Sequence, residues 1–274
     1  MHFLKPLALL VLAGGSLACA GCFESWGQAR FTRDVEATFL LPAGAGLAAD
    51  TANGAIDIAE AQRDDVLVRA VVRATTQERA DAVEIVADTG EPDWLEIRAV
   101  WPDGRGPSEG VSLMIEAPGG RPVRATTGNG ELVLTGFSGG AHLSTSNGEV
   151  RATGHDGPVR ADSSNGGITI VGAAGAVDAE TSNGEVCVEL ADRSPGPVEI
   201  DSSNGGVTLV VGPGFAGKIS ADTSNGSVSL DDGGAGHPHA LGGDRSSRVV
   251  QVGAGGPESR VETSNGAIRI SIRK

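Results

Sequence analysis

The chain has 274 residues, a net charge of −14 and a pI near 4.7, and it contains no tyrosine and 3% aromatic residues. Because nucleic-acid binding relies on a basic patch, this acidic composition excludes that class of partner. Binding surfaces built from tyrosine and tryptophan are disfavoured by the same composition. The 42 glycines are typical of a fold with many tight turns.

The first 22 residues have the pattern of an export signal. Lys5 provides the positive charge, and the apolar run 7–13 is too short to span a membrane. Residues 19–22 read Cys-Ala-Gly-Cys, which resembles the lipobox of bacterial lipoproteins, in which Cys22 would become the lipidated first residue. Cleavage of an ordinary signal peptide nearby is the alternative. Phe23, rather than an Asp, follows Cys22, and this resembles the signal for sorting to the outer membrane. Residues 23–30 would form a short tether.

Residues 31–122 show the alternation typical of β-strands but only one copy of the later repeat. One short helix is predicted after residues 75–78, Thr-Thr-Gln-Glu, which have the spacing of a capping box. Trp94 and Trp101 flank one predicted strand. We expect both rings to pack in the core or at an edge, rather than to form a platform for sugars.

From residue 123 onward the tetrapeptide Thr-Ser-Asn-Gly, or a near copy, recurs regularly. Successive asparagines from Asn129 are 18, 18, 18, 21, 21 and 40 residues apart. Apolar residues lie six and four positions before each Asn and three and five after it, except that Ser259 stands six before Asn265, so one face of each flanking strand would be buried. The aligned asparagines, with one earlier copy, are Asn53, Asn129, Asn147, Asn165, Asn183, Asn204, Asn225 and Asn265. This period predicts one all-β domain of stacked units over residues 31–274, less regular over 31–122.

Two assemblies fit the repeat. Asn and Gly accept a left-handed backbone at low cost, so each Asn-Gly would form the turn of an antiparallel hairpin, and the hairpins would stack. Alternatively, each Asn-Gly is a corner of a β-solenoid (β-helix) with about 18–21 residues per coil. The residue two before the Asn is always Thr or Ser and the next is always small. This uniformity favours the solenoid, because identical side chains on stacked coils form ladders about 4.8 Å apart.

The 40-residue step before Asn265 is close to two periods and predicts a degenerate coil within it. Ser247 would take the place of the Asn. Val250 and Val252 would then occupy the inward positions that follow each Asn elsewhere. The copies would stack in chain order.

Acidic residues recur three positions before the Asn and would form a column on the solenoid. They are Asp50, Asp162, Glu180, Asp201, Asp222 and Glu262. Close carboxylates repel one another unless a cation screens them, so Ca²⁺ is the natural candidate ligand. A solvated outer face is the alternative. The column shows no matching Arg or Lys positions, which disfavours the chemistry of pectin-cleaving β-helices. No catalytic motif and no other metal or cofactor site is recognised.

Cys187 would be the only cysteine of the mature chain, which therefore has no internal disulfide. It lies at an outward position, and no histidine or other base lies near it in the sequence. An inert thiol is therefore expected rather than a nucleophile.

The export signal with its lipobox, the β segments before Pro118 and the Thr-Ser-Asn-Gly-x-apolar-x-apolar repeats together resemble the bacterial putative adhesin family. This is a family of uncharacterised, lipoprotein-type β-helical surface proteins. The resemblance covers about residues 31–274. It implies a right-handed β-solenoid exported to the cell envelope.

We expect a non-enzymatic, lipid-anchored envelope protein that presents a repetitive β surface as an adhesin or scaffold. The lipid on Cys22 would hold the chain in the membrane, most simply the outer membrane. Its partner would be an envelope or extracellular protein, or a glycan. The alternatives are a polysaccharide-acting β-helix enzyme and an envelope-stress sensor or regulatory partner.

Overall fold

The computed structural model describes residues 31–90, 93–231 and 239–273. The described residues form two long sheets that enclose one hydrophobic core. We call the 12-stranded one the Asn sheet, because most of its strands end at an Asn of the repeat, and the 11-stranded one the opposite sheet. The fold is therefore an all-β solenoid, as predicted.

Each regular coil consists of one strand in the Asn sheet, an Asn-Gly corner and one strand in the opposite sheet. The Asn-sheet strands of the coils are β2 (Gly46–Asn53), β6 (Trp94–Val100), β8 (Val123–Asn129), β10 (Ala141–Asn147), β12 (Val159–Ser163), β14 (Val177–Asn183), β16 (Val198–Asn204), β18 (Gly217–Asn225) and β22 (Glu258–Asn265). Their partners in the opposite sheet are β3 (Ile56–Glu60), β7 (Gly110–Ala117), β9 (Leu132–Thr135), β11 (Val150–Thr153), β13 (Ile168–Ala173), β15 (Val186–Leu190), β17 (Val207–Val211), β19 (Val228–Asp231) and β23 (Ile268–Ile272). The β6–β7 coil has no Asn-Gly at its corner.

The pairing between coils is parallel and in register. Val177 lies beside Val198, and Asn183 lies beside Asn204. The stacked-hairpin alternative is wrong, because the strands on either side of an Asn-Gly lie in different sheets rather than pairing with each other. The right-handed sense of the coil, which the family resemblance implies, stays a prediction.

The core follows from the alternation of apolar residues. In the coil of β14 and β15, Val177, Ala179 and Thr181 point inward from one sheet, and Val186 and Val188 point inward from the other. All five side chains are at most 3% exposed. Burying each valine contributes about 1.5–3 kcal/mol relative to leaving it exposed, and every coil repeats the arrangement.

The Asn-Gly corners use glycine for close approach rather than for a left-handed backbone. Of the eight corner glycines only Gly54 has a positive φ, and none of the corner asparagines does. A Cβ added to Gly205 would instead collide with the carbonyl oxygen of Gly184 in the coil below. Each of the other corners is equally tight. The prediction that Asn-Gly serves a left-handed turn is therefore wrong. Glycine is needed at the corner because the stacked backbones leave no room for a side chain.

The N-terminal part adds antiparallel strands and one helix to the solenoid. Strands β1 (Phe31–Leu40) and β4 (Asp65–Ala74) extend the opposite sheet, and β5 (Glu84–Asp88) extends the Asn sheet. Helix α1 (Gln77–Ala82) confirms the predicted helix, with Thr76 Oγ1 accepting a hydrogen bond from the N–H of Arg79 at 3.3 Å. The β6–β7 coil stacks on the outside of the β2–β3 coil that precedes it in the chain.

The C-terminal end departs from the predicted order. Strand β21 (Ser247–Val252) runs antiparallel to β18 and to β20 (His239–Gly243), so a degenerate coil at Ser247 is wrong. Val250 and Val252 are buried, but on a strand that runs the opposite way. The last coil, β22 and β23, is inserted between the β16–β17 coil and the β18–β19 coil. The expectation that copies stack in chain order therefore fails here.

Candidate functional site: a groove across the coils

A groove crosses the outer face of the Asn sheet near the N-terminal ends of its strands. It encloses about 610 Å³ and runs from Trp94, across the stacked coils, to Arg260. Its lining residues are Trp94, Pro122, Val123, Arg124, Gly140, Ala141, His142, Pro158, Val159, Arg160, Ala176, Val177, Asp178, Pro197, Val198, Glu199, Glu258 and Arg260. This groove was not predicted from the sequence. Its signal is the alternation of proline with glycine or alanine seven positions before successive asparagines.

The floor of the groove is made of small and ring-shaped apolar residues. It is formed in turn by Pro122, Gly140, Pro158, Ala176 and Pro197, one from each successive coil. The backbone carbonyl of each accepts an N–H from a neighbouring coil at 2.8–3.1 Å. Because these carbonyls are already bonded, the floor offers C–H groups rather than backbone acceptors to a ligand.

The corner before the floor is fixed by a buried histidine. His155 is 1% exposed. Its Nδ1 lies 2.9 Å from the carbonyl oxygen of Gly136, and its Nε2 lies 2.7 Å from that of Gly139. In either tautomer one ring N–H donates to one of these carbonyls, which ties the corner at His155 to the neighbouring corner and helps to keep the floor residue Gly140 in place.

The wall of the groove carries side chains of both charges. They stand five positions before the asparagines and are Arg124, His142, Arg160, Asp178, Glu199 and Arg260. The Arg160 guanidinium contacts Asp178 at 2.8 Å and Asp162 at 3.1 Å. The hydrogen bonds to Asp162, followed by the charges of Asp162, Asp178 and Glu180, raise the pKa of Arg160. The wall therefore presents donors and acceptors side by side, held by ion pairs between coils.

Trp94 closes one end of the groove. A Cβ on Gly46 would meet the Trp94 ring at 2.7 Å and the Pro122 ring at 2.9 Å, so the absence of a side chain lets the two rings lie over that glycine. The Arg124 guanidinium lies 3.9 Å from the centre of the Trp94 ring, within the range of a cation–π contact. Trp94 thus packs near an edge, and its half-buried ring also borders the groove.

The acidic column is shorter than predicted and is paired with arginines. Thr126 and Ser144 separate Asp50 from the others, whereas Asp162, Glu180, Asp201, Glu262 and Asp222 are adjacent in that order. Burial raises the pKa of Asp50. The expectation of no matching basic residues is wrong, because Arg160 and Arg260 lie in the neighbouring column.

Arg260 contacts Glu262 at 2.7 Å, and Arg160 lies 3.8 Å from Glu180. Hydrogen bonding to Glu262 is the largest cause of a raised pKa of Arg260. Within the described residues, no three His, Cys, Asp or Glu side chains are grouped closely enough to hold a metal ion. The two guanidinium groups thus provide part of the screening that was expected from Ca²⁺.

The eight asparagines of the repeat form one ladder of side-chain hydrogen bonds. Seven of them donate from Nδ2 to the Oδ1 of the Asn before them in the stack, at 2.6–3.1 Å. The spatial order is Asn53, Asn129, Asn147, Asn165, Asn183, Asn204, Asn265 and Asn225. The buried hydroxyl two residues earlier bonds a corner carbonyl of the adjacent coil, as Thr181 does with Gly166 at 2.9 Å. These contacts are all internal, so the repeat motif stabilises the stack.

Glu109 anchors the corner that lacks Asn-Gly, and no local motif marks it in the sequence. Its carboxylate is 1% exposed and accepts hydrogen bonds from Arg79 at 2.6 and 2.7 Å, from Thr75 and from the N–H of Gly106. The Arg79 guanidinium is the largest of the influences that lower the pKa of Glu109 well below its ordinary range. The carboxylate is fully used in holding this loop against α1.

Two cysteines were singled out by the sequence. Cys187 is half-buried, and its pKa is raised by burial first and by the charges of Glu185 and Glu189 second. A raised pKa keeps the thiol protonated, as expected for an inert cysteine. Cys22 and the tether lie outside the described residues. In the described part of the chain, no helix is long and apolar enough to cross a membrane.

Several solved structures are similar to this chain at low sequence identity. A putative cell adhesion protein from Clostridium sporogenes is 15% identical, with 88% of this chain and 100% of that chain covered and a TM-score of 0.40. A putative adhesin from Bacteroides fragilis is 9% identical (87% and 97% covered, TM-score 0.45), and one from Parabacteroides distasonis is 10% identical (88% and 97%, TM-score 0.37). No family model and no curated protein matches the chain. These likenesses are distant, so the functional argument rests on the groove.

Proposed function

We propose that this chain is a non-enzymatic, lipid-anchored envelope protein that binds a linear glycan along the groove. The observation that carries the proposal is the groove itself, with its apolar floor and its wall of paired charges. Seven coils contribute to it. At about 4.8 Å per coil it is roughly 30 Å long, which suits an extended polymer rather than a small molecule.

A glycan fits the floor better than an extended peptide does. Proteins commonly hold extended peptides by adding them as a strand to a free sheet edge. The floor carbonyls are bonded between coils, so the groove offers no such edge. Pyranose rings present C–H faces with hydroxyls at their rims. The proline rings of the floor and the Arg, His, Asp and Glu side chains of the wall match these two features.

The ion pairs of the wall support binding rather than catalysis. A general acid must hold a proton near neutral pH. The Asp178 carboxylate lies 2.8 Å from the Arg160 guanidinium and is engaged in an ion pair with it. A hydrolase or lyase at this site would need such a group to be released from its partner. Adhesion to a glycan-bearing surface, with lipid on Cys22 as the anchor, requires no such change.

A glycan array with the Cys22→Ser chain tests the binding proposal. We expect retention of one class of linear glycan, reduced at least tenfold by Trp94→Ala and by Arg160→Ala. Arg151→Ala is the matched control, because Arg151 is a similarly ion-paired arginine on the opposite sheet. Binding that both groove variants leave unchanged, or shortening of the bound glycan during incubation, would contradict the proposal.

Fractionation of cells tests the anchor separately. The native chain should be recovered in the membrane fraction, and the Cys22→Ala variant should be released into the soluble fraction. An identical distribution of the two proteins would exclude lipid on Cys22 as the anchor. This result would leave the glycan measurement unaffected.

A further inference from the structure

The last coil of the chain, which we call the closing coil (Glu258–Ile272), lies inside the solenoid. Its strand β22 pairs with β16 on one side and with β18 on the other. Its strand β23 likewise pairs with β17 and with β19. The β18–β19 coil follows Val211 in the chain but does not stack on the β16–β17 coil. One coil position separates these two coils, and the closing coil, which comes last in the chain, occupies it.

The closing coil alone connects the final described strands to the rest of both sheets. In the described strand order, β16 does not pair with β18 and β17 does not pair with β19. Removal of the closing coil would leave four unpaired strand edges that face one another. It would also expose the core contacts of Val261, Ile268 and Ile270, which are at most 1% exposed. Two unpaired strand edges that face each other are a template for an incoming strand of matching register.

The contacts of the closing coil are specific to its sequence. The Asn265 side chain continues the ladder in both directions, to Asn204 at 3.0 Å and to Asn225 at 2.9 Å. Beyond β23, the Arg273 guanidinium reaches across β17 and contacts Glu189 at 2.6 Å. Lys218 contacts Glu258 at 2.9 Å. A coil of the same sequence from a second molecule would make every one of these contacts.

The segment that leads into the closing coil has the character of a hinge. Residues 253–257 read Gly-Ala-Gly-Gly-Pro, and all are exposed. Three of the glycines, Gly253, Gly255 and Gly256, have positive φ. Glycine adopts many backbone conformations, so this segment can take a second path once its contacts with Ala216 and Gln251 are released.

From the inserted position, the open edges and the hinge, we propose that the closing coil is exchangeable and that its partner is a second copy of this chain. Residues 258–273 of each copy would occupy the position between the β16–β17 and β18–β19 coils of the other copy. The result is a dimer with the same contacts as the monomer. Exchange of an identical element needs no new interface and is a low-cost route to a dimer. The glycan groove plays no part in this argument.

Disulfide trapping in the full chain tests the exchange. Cys19, Cys22 and Cys187 are replaced by Ser, and Ser203→Cys is combined with Ser264→Cys. These two exposed positions are neighbours in register on β16 and β22, within the span of a disulfide. In the exchanged dimer the two cysteines belong to different molecules. After partial unfolding and refolding at rising concentration, we expect a rising fraction of covalent dimers on a non-reducing gel.

The matched control combines Ser182→Cys with Ser203→Cys, which are neighbours on β14 and β16, inside the body of the solenoid. It should give covalent monomers at every concentration. Covalent monomers alone from the Ser203/Ser264 pair would overturn the proposal.

A second measurement needs no substitution. Two differently tagged populations of the native chain are mixed, partly unfolded, refolded and weighed by native mass spectrometry. Mixed dimers support exchange, and unmixed monomers overturn it.

Discussion

The middle of the solenoid and its C-terminal end are built from the same repeat but connected differently. Between Val123 and Val211, coils follow one another in chain order. After Val211 the order reverses, and the Asn265 coil lies between the Asn204 and Asn225 coils. The Asn ladder nevertheless continues without a break. The repeat therefore specifies how two coils stack, and the connecting segments decide which two coils meet.

The largest effect is expected from a side chain at a corner glycine. In Gly205→Ala the new Cβ collides with the Gly184 carbonyl, and the stack must open. We expect a loss of about 3 kcal/mol or more in the free energy of unfolding, measured by denaturant titration. Gly206→Ala is the control, since its Cβ would lie 3.5 Å from the nearest atom, and it should change stability by less than about 1 kcal/mol.

The same substitution at the end of the stack sharpens the comparison. Gly226 is as crowded as Gly205, but its coil has another coil on one side only. Gly226→Ala should therefore cost less than Gly205→Ala, because the end coil is freer to shift. Equal losses at the two glycines would mean that the end is packed as rigidly as the middle.

The β6–β7 corner, which lacks Asn-Gly, should depend on Glu109 instead. Glu109→Gln should cost about 2–3 kcal/mol at pH 7, because Arg79 loses its charged partner. The pKa of Glu109 is lowered in the folded state, so its contribution is complete above the unfolded pKa of about 4.3. It is lost as the pH falls further towards the folded pKa.

Thermal melts between pH 7 and pH 2 measure this dependence. The wild type should lose more stability below about pH 4 than Glu109→Gln does. Parallel pH profiles for the two proteins would show that the carboxylate is not linked to folding.

Substitutions in the Asn ladder should have a smaller effect on the free energy of unfolding. Their ranking shows whether stability follows the spatial order of the coils or their order in the chain. Asn183 and Asn265 each have ladder bonds on both sides, whereas Asn225 has one. Each bond should contribute about 0.5 kcal/mol at this exposed position. Asn265→Ala should therefore resemble Asn183→Ala and should cost about twice as much as Asn225→Ala in denaturant titrations. A ranking that follows chain order instead would contradict the inserted position of the last coil.

The smallest effect is expected from calcium. Asp162, Glu180 and Glu262 of the acidic column are paired with Arg160 or Arg260, so millimolar Ca²⁺ should leave the melting temperature unchanged. Mg²⁺ at the same ionic strength is the control. A rise specific to Ca²⁺ would show that the column binds this cation despite its arginines.

Much of the fold could be predicted from the sequence, because period and alternation are local. The aligned Val and Ile positions located the core, and the hydroxyl before each Asn indicated stacking rather than hairpins. The helix was predicted from the capping-box spacing of Thr75 and Glu78, although its N-cap is the next residue, Thr76. These features depend on residues a few positions apart.

Features that depend on distant contacts could not be predicted in this way. The inserted last coil and the antiparallel β21 arise from pairing between segments about 40–60 residues apart or from a reversed chain direction. Glycine at the corners was predicted to serve a left-handed turn, but what excludes a side chain there is a collision with another coil. The groove could not be predicted from the apolar alternation, because Pro122, Pro158 and Pro197 lie just before their strands and only the stacking of coils brings them together.

The most direct test of the proposed function is the affinity of Gly140→Phe for the glycan retained on the array. A Cβ at Gly140 would meet only the Pro158 ring, at 3.8 Å, so the new side chain can enter the groove without disturbing the stack. We predict at least tenfold weaker binding by calorimetry, with an unchanged circular dichroism spectrum and melting temperature. Native affinity in a folded Gly140→Phe protein would contradict binding along this groove.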